Sequence, residues 1–123
     1  MIETRNAVIK SARFDTERGL SAWLDLDYGG SGQGFGGYLL YLPKSWSHHK
    51  GQANYCGHWI HRCLQIADVD DWSKLAGRTV RVKAEHSKVH AIGHIVKDDW
   101  FDPSKEFEQL RADMETPPSR GET

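Results

Sequence analysis

Asp25-Leu26-Asp27-Tyr28-Gly29-Gly30-Ser31-Gly32-Gln33-Gly34-Phe35-Gly36-Gly37-Tyr38 packs six glycines into fourteen residues, half of the chain's 12. Glycine loses the most conformational freedom on folding, so such density has a cause. Either the backbone passes through positive φ, or something approaches it too closely for a Cβ. Apolar, strand-like sequence flanks the run, Leu20 to Tyr28 before it and Phe35 to Leu42 after. The expected unit is a strand, a wide glycine-rich loop and a second strand. Two uses of the loop stay open: a flexible hairpin connection, or exposed N–H groups that receive a ligand or a partner chain.

Outward from the run, Leu20, Ala22, Leu24, Leu26 and Tyr28 alternate with Ser21, Trp23, Asp25 and Asp27, the period of a half-buried strand. Thr4 to Phe14 reads as the strand before it, joined through a turn at Asp15–Gly19 with Gly19 free for positive φ. Tyr38 to Leu42 is nearly continuous in apolar character, as in a central strand, and Pro43 ends it. Lys44 to Gln52, with Trp46, His48 and His49, reads as an exposed loop.

A helix is expected from Ala53 or Asn54, with Asn54 as its cap, to Ala67. It groups Cys56, Trp59, Ile60, Cys63, Leu64 and Ala67 on one face. Asp70 to Leu75 reads as a helical turn capped by Asp70 or Asp71 and stopped at Gly77. Arg78–Glu85 and Val89–Val96 form a second hairpin. The aromatic pair Trp100-Phe101 precedes Pro103 and a last helix over Ser104–Ala112, with Phe107 and Leu110 as its apolar contacts. The order is β-β-β-α-(α)-β-β-α. It implies an α+β fold, an antiparallel sheet of about five strands carrying one main helix. Residues 1–113 make one domain, and 114–123 a flexible tail.

A chain of 123 residues suits one core, and 38% hydrophobic with 27% charged residues suits a globular domain. The formal net charge of -1 argues against a strongly basic nucleic-acid binder and against an acidic mimic of DNA. A local basic patch at Arg78, Arg81, Lys83 and Lys88 stays open. No apolar run approaches the ~20 residues of a membrane helix. The first residues lack the apolar core of a signal peptide, so a cytoplasmic, membrane-free protein is expected.

The glycine run matches no phosphate loop, since no Lys followed by Ser or Thr occurs in it. It also leads into a strand, where a dinucleotide fingerprint opens a helix. A weaker anion nest survives. Asp25 and Asp27 share a strand face and could hold a metal or exchange protons, although solvated strand carboxylates are commoner. His58 and His61 are spaced to face one ligand, as are His90 and His94. Exposed or hydrogen-bonded histidines are the commoner outcome. Cys56 and Cys63 are ~10 Å apart along one helix at 1.5 Å per residue, too far for a disulfide, and read as buried thiols. No catalytic residue, metal ligand or cofactor is assigned. The candidate residues for a ligand or partner are Asp25, Asp27, Gly30, Ser31, Gly32, Gln33, Gly34, Tyr38, Arg81 and Lys83.

The segment Asp27 to Tyr38 resembles a signature of small phage and prophage proteins. So does Gly77-Arg78-Thr79-Val80-Arg81-Val82-Lys83-Ala84-Glu85-His86, continued through Ala91-Ile92-Gly93-His94 to Trp100-Phe101-Asp102-Pro103. The resemblance implies a phage accessory protein and transfers no catalytic residue. The leading expectation is a non-enzymatic phage protein that binds a host protein and inhibits host defence, CRISPR among the candidates. One alternative is a nucleotide-binding or nucleotide-sequestering protein using Gly30 to Gly37, Arg81 or Lys83, and Tyr38 or Trp23. The other is a metal-dependent hydrolase.

Overall fold

Strand β1 (Glu3–Asp15) is long enough to serve two partners, and the architecture follows from that. In this computed structural model, Glu3 to Val8 pairs antiparallel with β4 (Thr79–Glu85), and Val8 to Asp15 with β2 (Ser21–Asp27). The β1–β2 register slips between Ile9 and Ser11. Such a bulge bends a strand and raises its twist, letting one strand turn from one partner to the other. β3 (Gly32–Leu39) pairs outside β2, β5 (Lys88–Gly93) outside β4, and β6 (Trp100–Phe101) outside β5. The result is one six-stranded antiparallel sheet, ordered β3-β2-β1-β4-β5-β6. Helices α1 (Tyr55–Ala67) and α2 (Pro103–Glu115) and a 3-10 turn at Trp72–Lys74 complete an α+β fold. The structure describes residues 1–16, 20–40 and 55–115. The expectations for Gly19, Pro43, the loop with Trp46, His48 and His49, the Asn54 cap and residues 116–123 lie outside the described residues. Among those described, no helix is long and apolar enough to cross a membrane.

The sheet curls until its two ends meet. Phe35 on β3 stacks on Trp59 of α1 at 5.1 Å and meets Phe101 of β6 edge-on at 6.0 Å. Trp59 in turn meets Phe101 at 5.5 Å. The Gln33 side-chain amide on β3 donates to the carbonyls of Glu85 and His86, 3.0 Å each, across the seam to the β4–β5 turn. The inside of this partly open barrel is filled by Ile9, Leu24, Leu26, Phe35, Val80, Val82, Ile92 and Phe101, with Trp59, Cys63 and Ile66 of α1 packed among them. α2 is fastened by Phe107, stacked on Tyr55 at 4.8 Å, and by Glu106, which accepts from Arg62 at 3.1 Å and bonds His58 at 2.6 Å.

The expected α+β fold is found, and Trp100-Phe101, by pairing with Ile92 and Gly93, adds a sixth strand to the expected sheet of about five. Three expectations are corrected. β3 starts at Gly32, so the wide loop shrinks to the connection Tyr28–Ser31 between paired Asp27 and Gly32. β3 is also an edge strand rather than a central one. A register shift opposite Ser21–Trp23 turns Tyr38 and Leu40 inward and leaves Leu39 outside, which breaks the apparent apolar run. α2 continues through Glu115, past the expected start of the tail. Nothing forbids helix until Thr116, which precedes Pro117.

Trp59 is fully buried at the point where both sheet ends meet. Trp59→Ala is expected to cost about 3–5 kcal/mol in denaturant unfolding. A loss below about 1 kcal/mol would show that the sheet ends are held by something else.

Candidate functional site: the outer face of the sheet

Four glycines of the run are close-approach positions: a Cβ on Gly32 or Gly36 would strike β2 backbone, at Leu26 O (2.5 Å) and at Ala22 O, and Gly34 and Gly37 lie against Trp23. The turn comes first: Asp27 Oδ1 accepts from Gly29 N at 2.8 Å, and Tyr28 N donates to Ser31 O at 2.8 Å. Along β3, a Cβ on Gly34 would meet the Trp23 ring at 3.0 Å, and one on Gly37 would meet it at 2.5 Å. The indole lies across a ledge of backbone. An aromatic ring covering glycines of an edge strand hides backbone that would otherwise stand open. Gly37 also has φ +82, a conformation open to glycine, at the irregularity that redirects β3.

The other end of the sheet repeats the device on the same face. A Cβ on Gly93 of β5 would stand 2.6 Å from the Trp100 ring. Cations flank both indoles: Arg13 at 5.9 Å from Trp23, and Arg81 at 4.8 Å and Lys83 at 4.2 Å from Trp100. Such contacts are worth ~0.5–1 kcal/mol each when exposed. The outer face is thus two fixed tryptophans, each on glycine and beside a cation. Between them run outward residues of β1 such as Asn6 and Ser11, placed by register opposite Arg81 and Asp25.

Asp25, Asp27, Gly30, Ser31, Gly32, Gln33 and Gly34 do come together. With Lys10 and Ser11 they line an open depression of about 600 Å³ on this face. The two carboxylates there have separate partners. Asp25 Oδ2 accepts from the Ser11 hydroxyl and, at 3.3 Å, from Arg13 Nε. The Ser11 hydrogen bond, with help from Arg13, holds the Asp25 carboxyl below the usual carboxylate range. Asp27 is committed to the turn. Tyr38 lies elsewhere, facing inward at 6.0 Å from Phe107 and 6.5 Å from Trp59. Arg81 and Lys83 sit on the outer face of β4, around Trp100. Arg81 is partly occupied, donating to the carbonyls of His94 at 2.7 Å and Lys97 at 2.6 Å. Lys83 has its ring contact with Trp100 and, among the described residues, no carboxylate within ion-pairing distance.

The described histidines take the commoner course of hydrogen bonding or exposure. His58 bonds Glu106, while His61 is exposed. His90 bonds Glu85 at 2.6 Å. β5 ends at Gly93, so His94 leaves the strand; its Nδ1 accepts from Val96 N and Lys97 N, both 3.0 Å. The proton of the neutral ring is therefore on Nε2, 3.5 Å from Asp68 Oδ2. Among the described residues no three His, Cys, Asp or Glu side chains are grouped to hold a metal. Cys63 is buried, and burial pushes its thiol well up. Cys56 is only half-buried, so it stands at the core margin rather than inside it.

Sequence reasoning found Asp25, Asp27 and the glycines but missed Trp23 and Trp100 as the rings they serve. The signal was present for Trp23, whose alternation puts it on the polar face with Asp25 and Asp27. The glycine substitutions separate accordingly. Gly37→Ala should cost at least ~1–2 kcal/mol from backbone conformation alone, and more from the indole. Gly30→Ala, with nothing within 4 Å and no positive φ, should stay within about 0.5 kcal/mol. Equal losses in thermal unfolding would contradict this division.

No family model matches this chain, and neither a curated protein nor a solved structure does.

Proposed function

We propose that this protein is a non-enzymatic binding module whose outer sheet face takes a single strand of nucleic acid. The observation that carries the reading is the pair of tryptophans fixed on glycine, Trp23 and Trp100, each beside cations. Stacking platforms next to positive charge hold single strands without reading their sequence, because every base has a π-face. The order β4-β1-β2-β3 is a Greek key, and with β5 it makes a five-stranded, partly open barrel. That is the architecture of the OB-fold, whose second and third strands bind oligonucleotides and oligosaccharides. Here it is an analogy of topology, and it supports the reading without carrying it. A net charge of -1 is compatible with a short, local site dominated by stacking rather than by phosphate contacts.

A second reading keeps the surface and changes the partner. The resemblance to phage and prophage proteins favours a host protein, with inhibition of host defence as the outcome. Trp and Arg are the residues that most often dominate protein interfaces. The nucleotide-sequestering alternative would use the open Gly30–Gln33 part of the depression, since Trp23 covers Gly34 and Gly37. The hydrolase alternative gains nothing from the committed carboxylates.

Fluorescence anisotropy with a labelled oligothymidylate separates the two. Binding is expected, with Trp23→Ala and Trp100→Ala each weakening it about tenfold and Trp72→Ala leaving it unchanged. The log–log salt slope should be about −2, from Lys10, Arg13 and Lys83 at about 0.7 each. No binding by a folded protein at low salt would overturn the nucleic-acid reading and leave the host-protein one.

A further inference from the structure

The barrel has a mouth beside the outer depression. It is a cavity of about 620 Å³, lined by Arg5 and Tyr28, the Ser31–Gln33 corner, and Glu85 to Ser87 of the β4–β5 turn, with Glu3 at its rim. The Arg5 guanidinium lies over the Tyr28 ring, 3.9 Å from its centroid. Tyr28 is held in place in turn, because its hydroxyl donates to Gln33 Oε1 at 2.5 Å while the Gln33 amide is fastened across the seam. Arg5 is thus a planar cation laid on a fixed ring. Arg5 also lines the cavity, and no carboxylate among the described residues is within ion-pairing distance of it.

The charge balance selects among ligands. Glu3 and Glu85 share the mouth with Arg5, and Glu85 is turned to His90. A small anion would meet Glu3 and the His90-bonded Glu85 as well as Arg5 and the Met1 amino group, so the mouth has no clear excess of positive charge. A neutral planar ring with donors and acceptors on its edge would instead stack on Arg5 and meet the polar groups of Glu3, Ser31, His86 and Ser87. Bases splayed out of a strand are commonly received on arginine planes in this way. The mouth also adjoins the outer depression, because Ser31, Gly32 and Gln33 line both. At that shared rim Gly32 presents no side chain.

We propose that the mouth is a second pocket, for one nucleobase, stacked on the Arg5 plane at the point where a strand crossing the outer face turns over the Ser31–Gly32 rim. The ligand class rests on the reading of the outer face given above. The pocket itself is tested with ligands too short to need that face.

Calorimetry on the full chain with the four ribonucleoside 5′-monophosphates, ribose 5-phosphate and inorganic phosphate decides the matter. At least one mononucleotide should bind, with ribose 5-phosphate and phosphate at least about tenfold weaker. Arg5→Lys keeps the charge and loses the plane, so it should weaken the mononucleotide about tenfold with an unchanged melting temperature. Trp72→Ala, at a ring stacked on Phe14 away from both surfaces, should leave mononucleotide binding as it is. Absence of any mononucleotide binding, equal binding of ribose 5-phosphate, or an indifferent Arg5→Lys would each overturn the proposal. Should Arg5→Lys fail to fold, the comparison of ligands on the unaltered chain still decides. Oligothymidylate binding without mononucleotide binding would sink the pocket alone. Mononucleotide binding without oligothymidylate binding would sink the outer-face reading alone.

Discussion

The contact of Phe35 and Phe101 against Trp59 is the constraint on which the rest depends. These rings come from the two end strands of one sheet and from α1. An antiparallel sheet has no intrinsic reason to bring its ends together. Here β1 bends at the Ile9–Ser11 irregularity, twist accumulates on both sides of it, and the aromatic cluster fixes the curl. Each ring pair adds ~0.5–1.5 kcal/mol beyond area burial, so the cluster outweighs any single surface contact. Gln33 closes the seam with two hydrogen bonds, to the carbonyls of Glu85 and His86.

Curling divides the molecule into a filled inside and a convex outside, and the two faces obey different rules. Inside, β-branched and aromatic residues meet α1. Outside, bulk is removed from β3 and β5 at chosen positions and restored by a tryptophan from the neighbouring strand. Such a ring is pinned on one plane by backbone that cannot yield. A pinned aromatic loses little freedom when a partner stacks on it, which is what a binding surface requires. The ion pairs of Arg62 stand apart from this surface. Arg62 ties Asp99 and Glu106 together, bonds the Trp100 carbonyl, and so joins α1 and α2 to the last strand. That cluster sets the position of Trp100 while leaving the outer face to Arg81 and Lys83.

Much of this was legible in the chain. Alternation over Leu20–Tyr28 identified β2, and the spacing of Trp59 and Cys63 identified the buried face of α1. Asp71 was recognisable as a cap, and it does accept from Ser73 N at 2.8 Å. Pro103 was recognisable as the opening of α2. The glycine run was read as needing either positive φ or a close approach, and both occur. What the chain could not reveal was which body approached, because the ring arrives from an adjacent strand and pairing register is a tertiary property. The dipeptide Trp100-Phe101 was too short to carry a strand pattern, and its pairing depends on Gly93 admitting the indole. His94 escaped because its environment is set by the bend after β5, where two backbone N–H groups converge on one ring nitrogen.

The central claim is that the fixed tryptophans and their glycine ledges are the working surface. A 1H–15N spectrum titrated with unlabelled oligothymidylate tests it most directly, since it reports each indole and glycine amide separately. Shifts should concentrate on the indole N–H signals of Trp23 and Trp100 and on the amides of Gly34, Gly36, Gly37 and Gly93. The buried Trp59 indole and the amides of α1 should stay in place. Shifts confined to α1 and α2, or a spectrum that the oligonucleotide leaves unchanged, would contradict the account.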